Sequence, residues 1–336
     1  MVNHHTSYAA SDRSYFALLR KGIHRQAVKA GFSEKKLAYL DLIIAEITSN
    51  LSKHTIGGEI LCGLVGKGDD QFLEIISIDN GPGIVDLSSM LLDGVSSVST
   101  LGHGLGSIKR LSDFFSIYTL KGWGTILLSR LYKTAPPNKI SNLSVNTLVI
   151  PKPSETISGD GCFFKSTVGY FKLVLLDGLG HGPEAHNVVV EANNNLKICP
   201  YHEPEEIIRF LHSALKKTRG GVGTVVVYDF KEQVVKILGV GNIATRMVDG
   251  TEIKNIMSYN GIIGHNIPNT MSAHHFQQKE FSYLILCSDG IKTRWDFGKH
   301  PMILRYDPII IAAAIYKDFG RRNDDMSIVL IKVNKI

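Results

Sequence analysis

The chain has 336 residues, 44% of them hydrophobic and 20% charged, enough for about two domains with cores of their own and too apolar for a chain disordered throughout. No apolar run approaches the roughly 18 residues that a spanning helix needs. The longest covers residues 309–315, so no membrane partner is expected. The formal net charge of +6 is spread thinly over both halves, with no basic run longer than two residues, which argues against a nucleic-acid partner.

The N-terminus lacks the basic, apolar, small-residue succession of a secretory signal. Cys62, Cys162, Cys199 and Cys287 are scattered without a C-x-x-C pair. That usage fits a reducing, cytoplasmic location and argues against a zinc ribbon or a disulfide framework. The 32 glycines follow no G-X-Y period, which excludes a collagen-like fibre.

The stretch Lys133-Thr-Ala-Pro-Pro-Asn-Lys-Ile-Ser-Asn142 has paired prolines and almost nothing to bury. It is read as a linker, 134–143, between domains at 13–133 and 144–336. The two halves show no internal repeat.

In the first half, Leu37, Leu40, Ile44, Ile47 and Leu51 recur at spacings of three and four, which predicts an amphipathic helix. Ser33 is its expected N-cap, with Phe32 and Leu37 as a hydrophobic staple and Gly57-Gly58 at its end. Glu46, Asn50 and His54 are each four residues apart and share a face away from the centre of that stripe. A carboxylate there can take a proton, and an amide oxygen one turn on can ligate Mg²⁺. A solvated polar face would show the same spacing.

Residues 72–78 read as a buried strand running into Asp79-Asn80-Gly81-Pro82-Gly83-Ile84. A carboxylate at such a strand end can accept hydrogen bonds from a base's exocyclic amine, and the glycines allow close backbone approach. Next comes Gly102-His103-Gly104-Leu105-Gly106, read as opening a helix with Leu105, Ile108, Leu111 and Phe115 on one side. A glycine-rich loop at a helix N-terminus is an anion site. Gly122-Trp123-Gly124-Thr125 then precedes an apolar strand.

In this order the four elements resemble the boxes of the Bergerat-type ATPase fold. Ile44-Ala-Glu-Ile-Thr-Ser-Asn50, Asp93-Gly-Val-Ser-Ser97 and Gly104-Leu-Gly-Ser-Ile-Lys-Arg-Leu111 are similar to stretches of the small bacterial switch-protein serine kinases of the RsbT type. The stretch between Ile84 and Gly102 is short, which suits such a kinase better than a gyrase-like ATPase. The resemblance implies ATP with Mg²⁺ as ligands and Glu46 as general base. It implies Asn50 as the Mg²⁺ ligand and Asp79 at the adenine. Gly81, Gly83, Gly102, Gly104, Gly106 and Thr125 would surround the nucleotide. No segment looks like a phosphoacceptor-histidine hairpin, and His54 is read as structural.

In the second half, aspartates stand at the ends of apolar strands. Ser158-Gly159-Asp160-Gly161 precedes residues 162–164. Residues 172–176 run into Asp177-Gly178-Leu179-Gly180-His181-Gly182. Residues 283–287 run into Ser288-Asp289-Gly290, and Asn323-Asp324-Asp325 precedes residues 326–333. Each alone is also an ordinary Asp-Gly turn. Together they read as clustered carboxylates, which repel unless a cation joins them. Oxygen ligands without histidine pairs favour Mg²⁺ or Mn²⁺ over zinc.

This pattern resembles the protein phosphatase 2C-type metal-dependent serine/threonine phosphatases, nearest the SpoIIE and RsbX branch. Asp177-Gly-Leu-Gly-His-Gly182 is its most specific piece. Gly239-Val-Gly-Asn242, Gly261-Ile-Ile-Gly264 and Arg322-Asn-Asp-Asp-Met-Ser327 also look like family stretches. The resemblance implies two Mn²⁺ or Mg²⁺ ions held by Asp160, Asp177, the Gly178 carbonyl, Asp289 and Asp324, the last preferred to Asp325. It offers His181 as a proton donor to the leaving serine oxygen. Ser158 stands where many relatives have glycine. Helices over 205–217 and from Asp307-Pro308 are expected to cover a β-sandwich.

The expected fold class is therefore α+β: a Bergerat α/β sandwich followed by a β-sandwich flanked by helices. The expected function is partner-switching signalling in a stress response. ATP-dependent phosphorylation of a switch protein, an anti-sigma antagonist domain, would be opposed by metal-dependent dephosphorylation, with a sigma factor as a further candidate partner. The alternative is an anti-sigma binding module in which ATP is only a conformational ligand, fused to a phosphatase.

Overall fold

The Ser33 hydroxyl accepts a hydrogen bond from Lys36 N, and behind that cap a helix runs from Glu34 to His54. Its apolar stripe is buried at Leu40, Ile44, Ile47 and Leu51, as the spacing predicts. A computed structural model of the chain describes residues 4–10, 13–55, 57–91, 104–136 and 143–333. Two units divide the chain. The first holds residues 5–139 with 305–314, and the second holds 140–304 with 315–336 and 1–4.

The described elements of the first unit are β1 (His5–Ala9), α1 (Phe16–Ala30), α2 (Glu34–His54), β2 (Gly58–Val65), β3 (Phe72–Asp79), α3 (Leu87–Met90), α4 (Gly104–Leu111), β4 (Phe114–Leu120) and β5 (Gly124–Tyr132). The strands form one antiparallel sheet in the order β1-β2-β3-β5-β4. Its core joins Ile23 and Ala27 of α1 and Leu40, Ile44 and Ile47 of α2 to Ile60, Leu73, Ile75 and Leu127 of the sheet. Each such large side chain stabilises the unit by about 1.5–3 kcal/mol on burial.

Three local expectations are corrected here. The α2 helix stops at His54 with Thr55 as its cap, because the Thr55 hydroxyl bonds Leu51 O at 2.7 Å before the glycines are reached. Phe115 belongs to β4, not to the helix before it. The Ser112 hydroxyl bonds Ile108 O at 2.6 Å, and Asp113 N bonds Arg130 O at 3.0 Å, which draws the chain into the sheet. Strand β1 lies ahead of residue 13 and pairs with β2 from His5 to Ala9. Its His5 is fully buried, with Nε2 3.1 Å from Glu74 Oε1, while Arg130 Nε donates to Glu74 Oε2 at 2.6 Å. Burial opposes ionisation of Glu74, but the Arg130 charge and the His5 hydrogen bond outweigh it and hold the carboxyl below its usual range.

The second unit begins with β6 (Leu143–Ile150), β7 (Asp160–Ser166) and β8 (Tyr170–Gly178), then α5 (Gly182–Ile198) and α6 (Pro204–Ala214). It continues through β9 (Gly221–Asp229), β10 (Val234–Val240), β11 (Ala244–Asp249), β12 (Glu252–Ile256), β13 (His274–Gln277) and β14 (Tyr283–Cys287). Helix α7 (Pro308–Phe319) and β15 (Met326–Val333) follow. Two five-stranded sheets result, β13-β10-β9-β8-β7 and β12-β11-β14-β15-β6. Their inner faces share one core, in which Leu173, Leu175 and Val226 of the first sheet join Leu284, Leu286 and Val329 of the second. Helices α5 and α6 cover the other face of the first sheet through Val188, Val189, Ile207 and Leu211 against Val174, Leu176 and Val225. That double cover explains why β9 is buried at every position. Helix α6 ends at Ala214, short of residue 217, and α7 starts at Pro308 as expected, but its residues through Ala314 group with the first unit. Among the described residues no helix is long and apolar enough to cross a membrane.

Candidate functional site

The α2 face that carries Glu46, Asn50 and His54 opens onto a cavity of about 770 Å³ in the first unit. Asp79, Gly83, Gly104 and Thr125 complete much of its wall. A Cβ on Gly104 would stand 3.6 Å from Asn50 Oδ1 and 4.0 Å from Glu46 Oε2. The start of α4, whose first N–H groups have no partner within the helix, thus lies beside the carboxylate and the amide.

Asp79 is fixed by backbone. Its Oδ1 accepts from Gly81 N at 2.7 Å and from Thr125 N at 3.2 Å. Gly83 is required by its φ of +77° and by Leu120 O, which would be 2.2 Å from a Cβ. That contact seats the turn after β3 against the β4–β5 hairpin, where Gly122 N bonds Pro82 O at 2.8 Å. Gly81 acts on the cavity through Asp79, and Gly106 is buried within α4. Gly102 and the stretch from Asp93 to Ser97 lie outside the described residues.

In the second unit the β7–β8 ladder sets Asp160 directly opposite Asp177. Asp289 follows β14, and Asp324 precedes β15 in the facing sheet. Asp177, Asp289 and Asp324 line a cavity of about 500 Å³ together with Lys152, His181 and Asn242. Asp160 is buried, and its Oδ2 has no hydrogen-bond partner among the described residues. Gly178 is buried in the ladder opposite Gly221, and its N–H donates to Gly159 O at 3.0 Å.

Burial raises the Asp177 carboxyl far above its ordinary range, and the charges of Asp160, Asp289 and Asp324 push it further. Burial likewise raises Asp160, opposed by the nearby Ser288 and Ser327 hydroxyls, which favour its charged form, while Asp325 and Asp289 add to the rise. A buried carboxylate oxygen without a partner, amid three further carboxylates, is what an oxygen-only cation site provides. No three acidic, histidine or cysteine side chains among the described residues stand close enough to form a cage by themselves. The donor set fits Mg²⁺ or Mn²⁺ and does not fit zinc.

The neighbouring acids divide their work. Asp324 faces the cavity. Asp325 is turned inward, its two oxygens accepting from Lys152 N at 2.8 Å and Gly159 N at 2.9 Å. His181 stands just before α5 with its side chain half exposed, and its Nδ1 lies 2.9 Å from Glu155 Oε1. Sequence reasoning missed Glu155, Lys152 and the role of Asn242, whose Nδ2 donates to Asp289 Oδ2 at 3.0 Å. Only Asn242 left a trace there, at the end of the Gly239-Val-Gly-Asn242 stretch.

A two-sheet sandwich with helices over one sheet and aspartates at its strand ends defines the second unit as a phosphatase domain of the protein phosphatase 2C type. The chain belongs to the stage II sporulation protein E (SpoIIE) family through residues 167–334 and, at its N-terminus, to the family of the serine/threonine-protein kinase RsbT. RsbT of Bacillus subtilis (strain 168) is 35% identical over 99 residues, which cover 30% of this chain and 74% of RsbT. A solved structure from the bacterial stressosome, a modular system adapted to control secondary messenger signalling, is 26% identical with a TM-score of 0.50, over 56% of this chain and 99% of that one. RsbX in complex with magnesium shares the fold at 19% identity and a TM-score of 0.50, over 57% of this chain and 96% of that one.

Proposed function

We propose that the chain is a two-activity signalling enzyme that adds and removes phosphate on serine or threonine of switch proteins. The observation that carries the phosphatase half is the convergence of Asp177, Asp289 and Asp324 on one cavity, with Asp160 paired to Asp177 behind it. Asp160, Asp177, the Gly178 carbonyl, Asp289 and Asp324 would hold two Mn²⁺ or Mg²⁺ ions. Bound there, such ions supply a water of lowered pKa and draw charge from the phosphoryl oxygens. The chain's own part is to set the carboxylates on rigid strand ends, to hold Asp289 through Asn242, and to present His181 at the rim as proton donor to the leaving oxygen.

In the first unit, ATP·Mg²⁺ would bind with its base at Asp79 and its phosphates at the start of α4. Asn50 would reach the metal, and Glu46 would accept the proton of the attacking hydroxyl. Phosphoryl transfer is mainly positioning and electrostatics, which a fixed carboxylate and a helix start can supply. The acceptor would be an anti-sigma antagonist domain, in a cytoplasmic stress-response pathway that could end on a sigma factor. RsbT bears the name of a serine/threonine-protein kinase, which favours transfer over ATP as a purely conformational ligand.

The test is one preparation and two assays. Radiolabelled ATP and a recombinant antagonist domain should give a labelled serine or threonine on that domain. The labelled product, returned to the chain with Mn²⁺ and no ATP, should lose its phosphate. Label that never appears overturns the kinase half, and label that persists overturns the phosphatase half.

A further inference from the structure

We infer that Glu155 is a positioning residue for phosphoester cleavage, one that holds His181 so that its imidazole hands a proton to the leaving serine or threonine oxygen. The inference rests on the phosphatase reading given above.

The geometry comes from two separate stretches of chain. Glu155 lies on the segment between β6 and β7, 26 residues before His181, and its Oε1 is 2.9 Å from His181 Nδ1. An ionised carboxylate has no hydrogen to give, so Nδ1 must donate. The proton that remains to be exchanged is then on Nε2. His181 lines the same cavity as Asp177, Asp289 and Asp324.

The segment that carries Glu155 is held on both sides. Asp325 accepts from Lys152 N on one side and from Gly159 N on the other, and Glu155 N donates to Lys152 O at 2.9 Å. On the opposite side of the pair, a Cβ on Gly182 would stand 3.3 Å from Glu155 Oε2, at a φ of +74°. A guanidinium of the same loop region, Arg219, whose Nη1 would stand 2.9 Å from a Cβ on Gly180, is engaged by Glu184, and Glu155 is the ion-pair partner that the described structure gives to His181.

The step balances without a further reagent. A water oxygen bonds to phosphorus, and the bond from phosphorus to the serine oxygen breaks. The proton of the water passes to solvent, and the Nε2 proton passes to the departing serine oxygen. Solvent then reprotonates Nε2.

The experiment compares two leaving groups on the full chain with Mn²⁺. A phosphoserine peptide must expel an alkoxide and needs the proton. p-Nitrophenyl phosphate expels a stable phenolate and needs it far less. Glu155→Ala should lower kcat for the peptide by about 10–100-fold, the scale for a partner that orients another functional group. KM should stay within about twofold, and the aryl ester should lose much less. Glu155→Gln, which keeps an acceptor oxygen without the charge, should recover part of the loss. In a His181→Ala background Glu155→Ala should cost nothing more, since the two residues act as a unit. Equal losses on both substrates, a change confined to KM, or additive losses in the double variant would overturn the assignment to Glu155 while leaving the phosphatase intact. A wild-type chain that hydrolyses neither substrate would overturn the phosphatase reading and this inference with it.

Discussion

Asp160 and Asp177 face each other as direct partners in the β7–β8 ladder. Like charges in that arrangement destabilise a sheet. Burial raises both carboxyls, and Asp160 adds its charge to the shift at Asp177. A carboxyl whose folded value is raised lends stability that is fully present below its unfolded value, near pH 4, and is lost as pH climbs through the folded value. In EDTA the second unit should therefore melt at a lower temperature at pH 9 than at pH 5. Mn²⁺ should reverse that order, because it binds the deprotonated pair. Calorimetric scans at the two pH values, with and without Mn²⁺, check both signs.

The same pair makes the effect of neutralisation specific. Asp177→Asn or Asp289→Asn should abolish Mn²⁺-dependent hydrolysis of a phosphoserine peptide. EDTA should mimic the substitution, and added Mn²⁺ should restore the wild type but not the variants. Asp177→Asn should also raise the melting temperature at pH 9 without metal, since it removes a costly buried charge. ATP affinity should persist in both variants, because the cavity at Glu46, Asn50 and Asp79 has its own core. A residual peptide activity above a few per cent would argue that other residues assemble the site.

How much of this was legible in the sequence follows from how far apart the partners lie. The place of Asp177 and Asp289 at the ends of buried strands was readable because a strand and the residues at its end are contiguous in sequence. The α2 helix was readable because its cap, stripe and polar face repeat at helical spacing within 21 residues. Phe115 was misplaced because it continues the spacing of Ile108 and Leu111, while the Ser112 hydroxyl and the Asp113–Arg130 bond that end the helix carry no period. The polar strand His5–Ala9 gives no alternating apolar signal, and only Glu74 explains a buried His5. The Glu155–His181 pair and the bond from Asn242 to Asp289 join distant loops, and nothing local announces them.

For the nucleotide cavity, the two acids should separate binding from transfer. Asp79 is fixed by Gly81 N and Thr125 N on the cavity wall. Asp79→Asn should weaken ATP binding by about 1–3 kcal/mol through loss of a charged hydrogen bond, read by titration calorimetry. Glu46→Ala should keep ATP affinity and lower phosphotransfer to an antagonist domain by roughly 10²–10⁴-fold, the scale for a positioned base. Transfer at the wild-type rate in Glu46→Ala would remove that residue from the chemistry.

Buried charge in the first unit has the opposite pH sign. Glu74 is fully enclosed, and the Arg130 guanidinium with the His5 hydrogen bond outweighs burial to keep its carboxyl low. A carboxyl lowered in the folded state contributes stability above its unfolded value, near pH 4, and loses it as pH falls through the folded value. Acid should thus weaken the first unit while it relieves the carboxylate repulsion of the second. The chain holds two tryptophans, Trp123 in the first unit and Trp295 in the second. Trp295→Phe and Trp123→Phe each leave one reporter, so urea curves by fluorescence follow each unit in turn. From pH 7 to pH 3 without metal, a range that crosses the unfolded carboxyl value, the midpoint reported by Trp123 should fall and the one reported by Trp295 should rise. Arg130→Met should lower the Trp123 midpoint at pH 7 by the equivalent of about 3–5 kcal/mol, since it leaves Glu74 buried without its cation. Adding Glu74→Met to that variant should recover part of the loss, because it removes the fully buried unmatched charge, while Asp307, the second carboxylate that Arg130 holds, stays without its partner. A Trp123 midpoint indifferent to both pH and Arg130→Met would mean that the buried pair contributes nothing net, and the stability of the unit would then rest on the Leu40–Ile44–Ile47 packing alone.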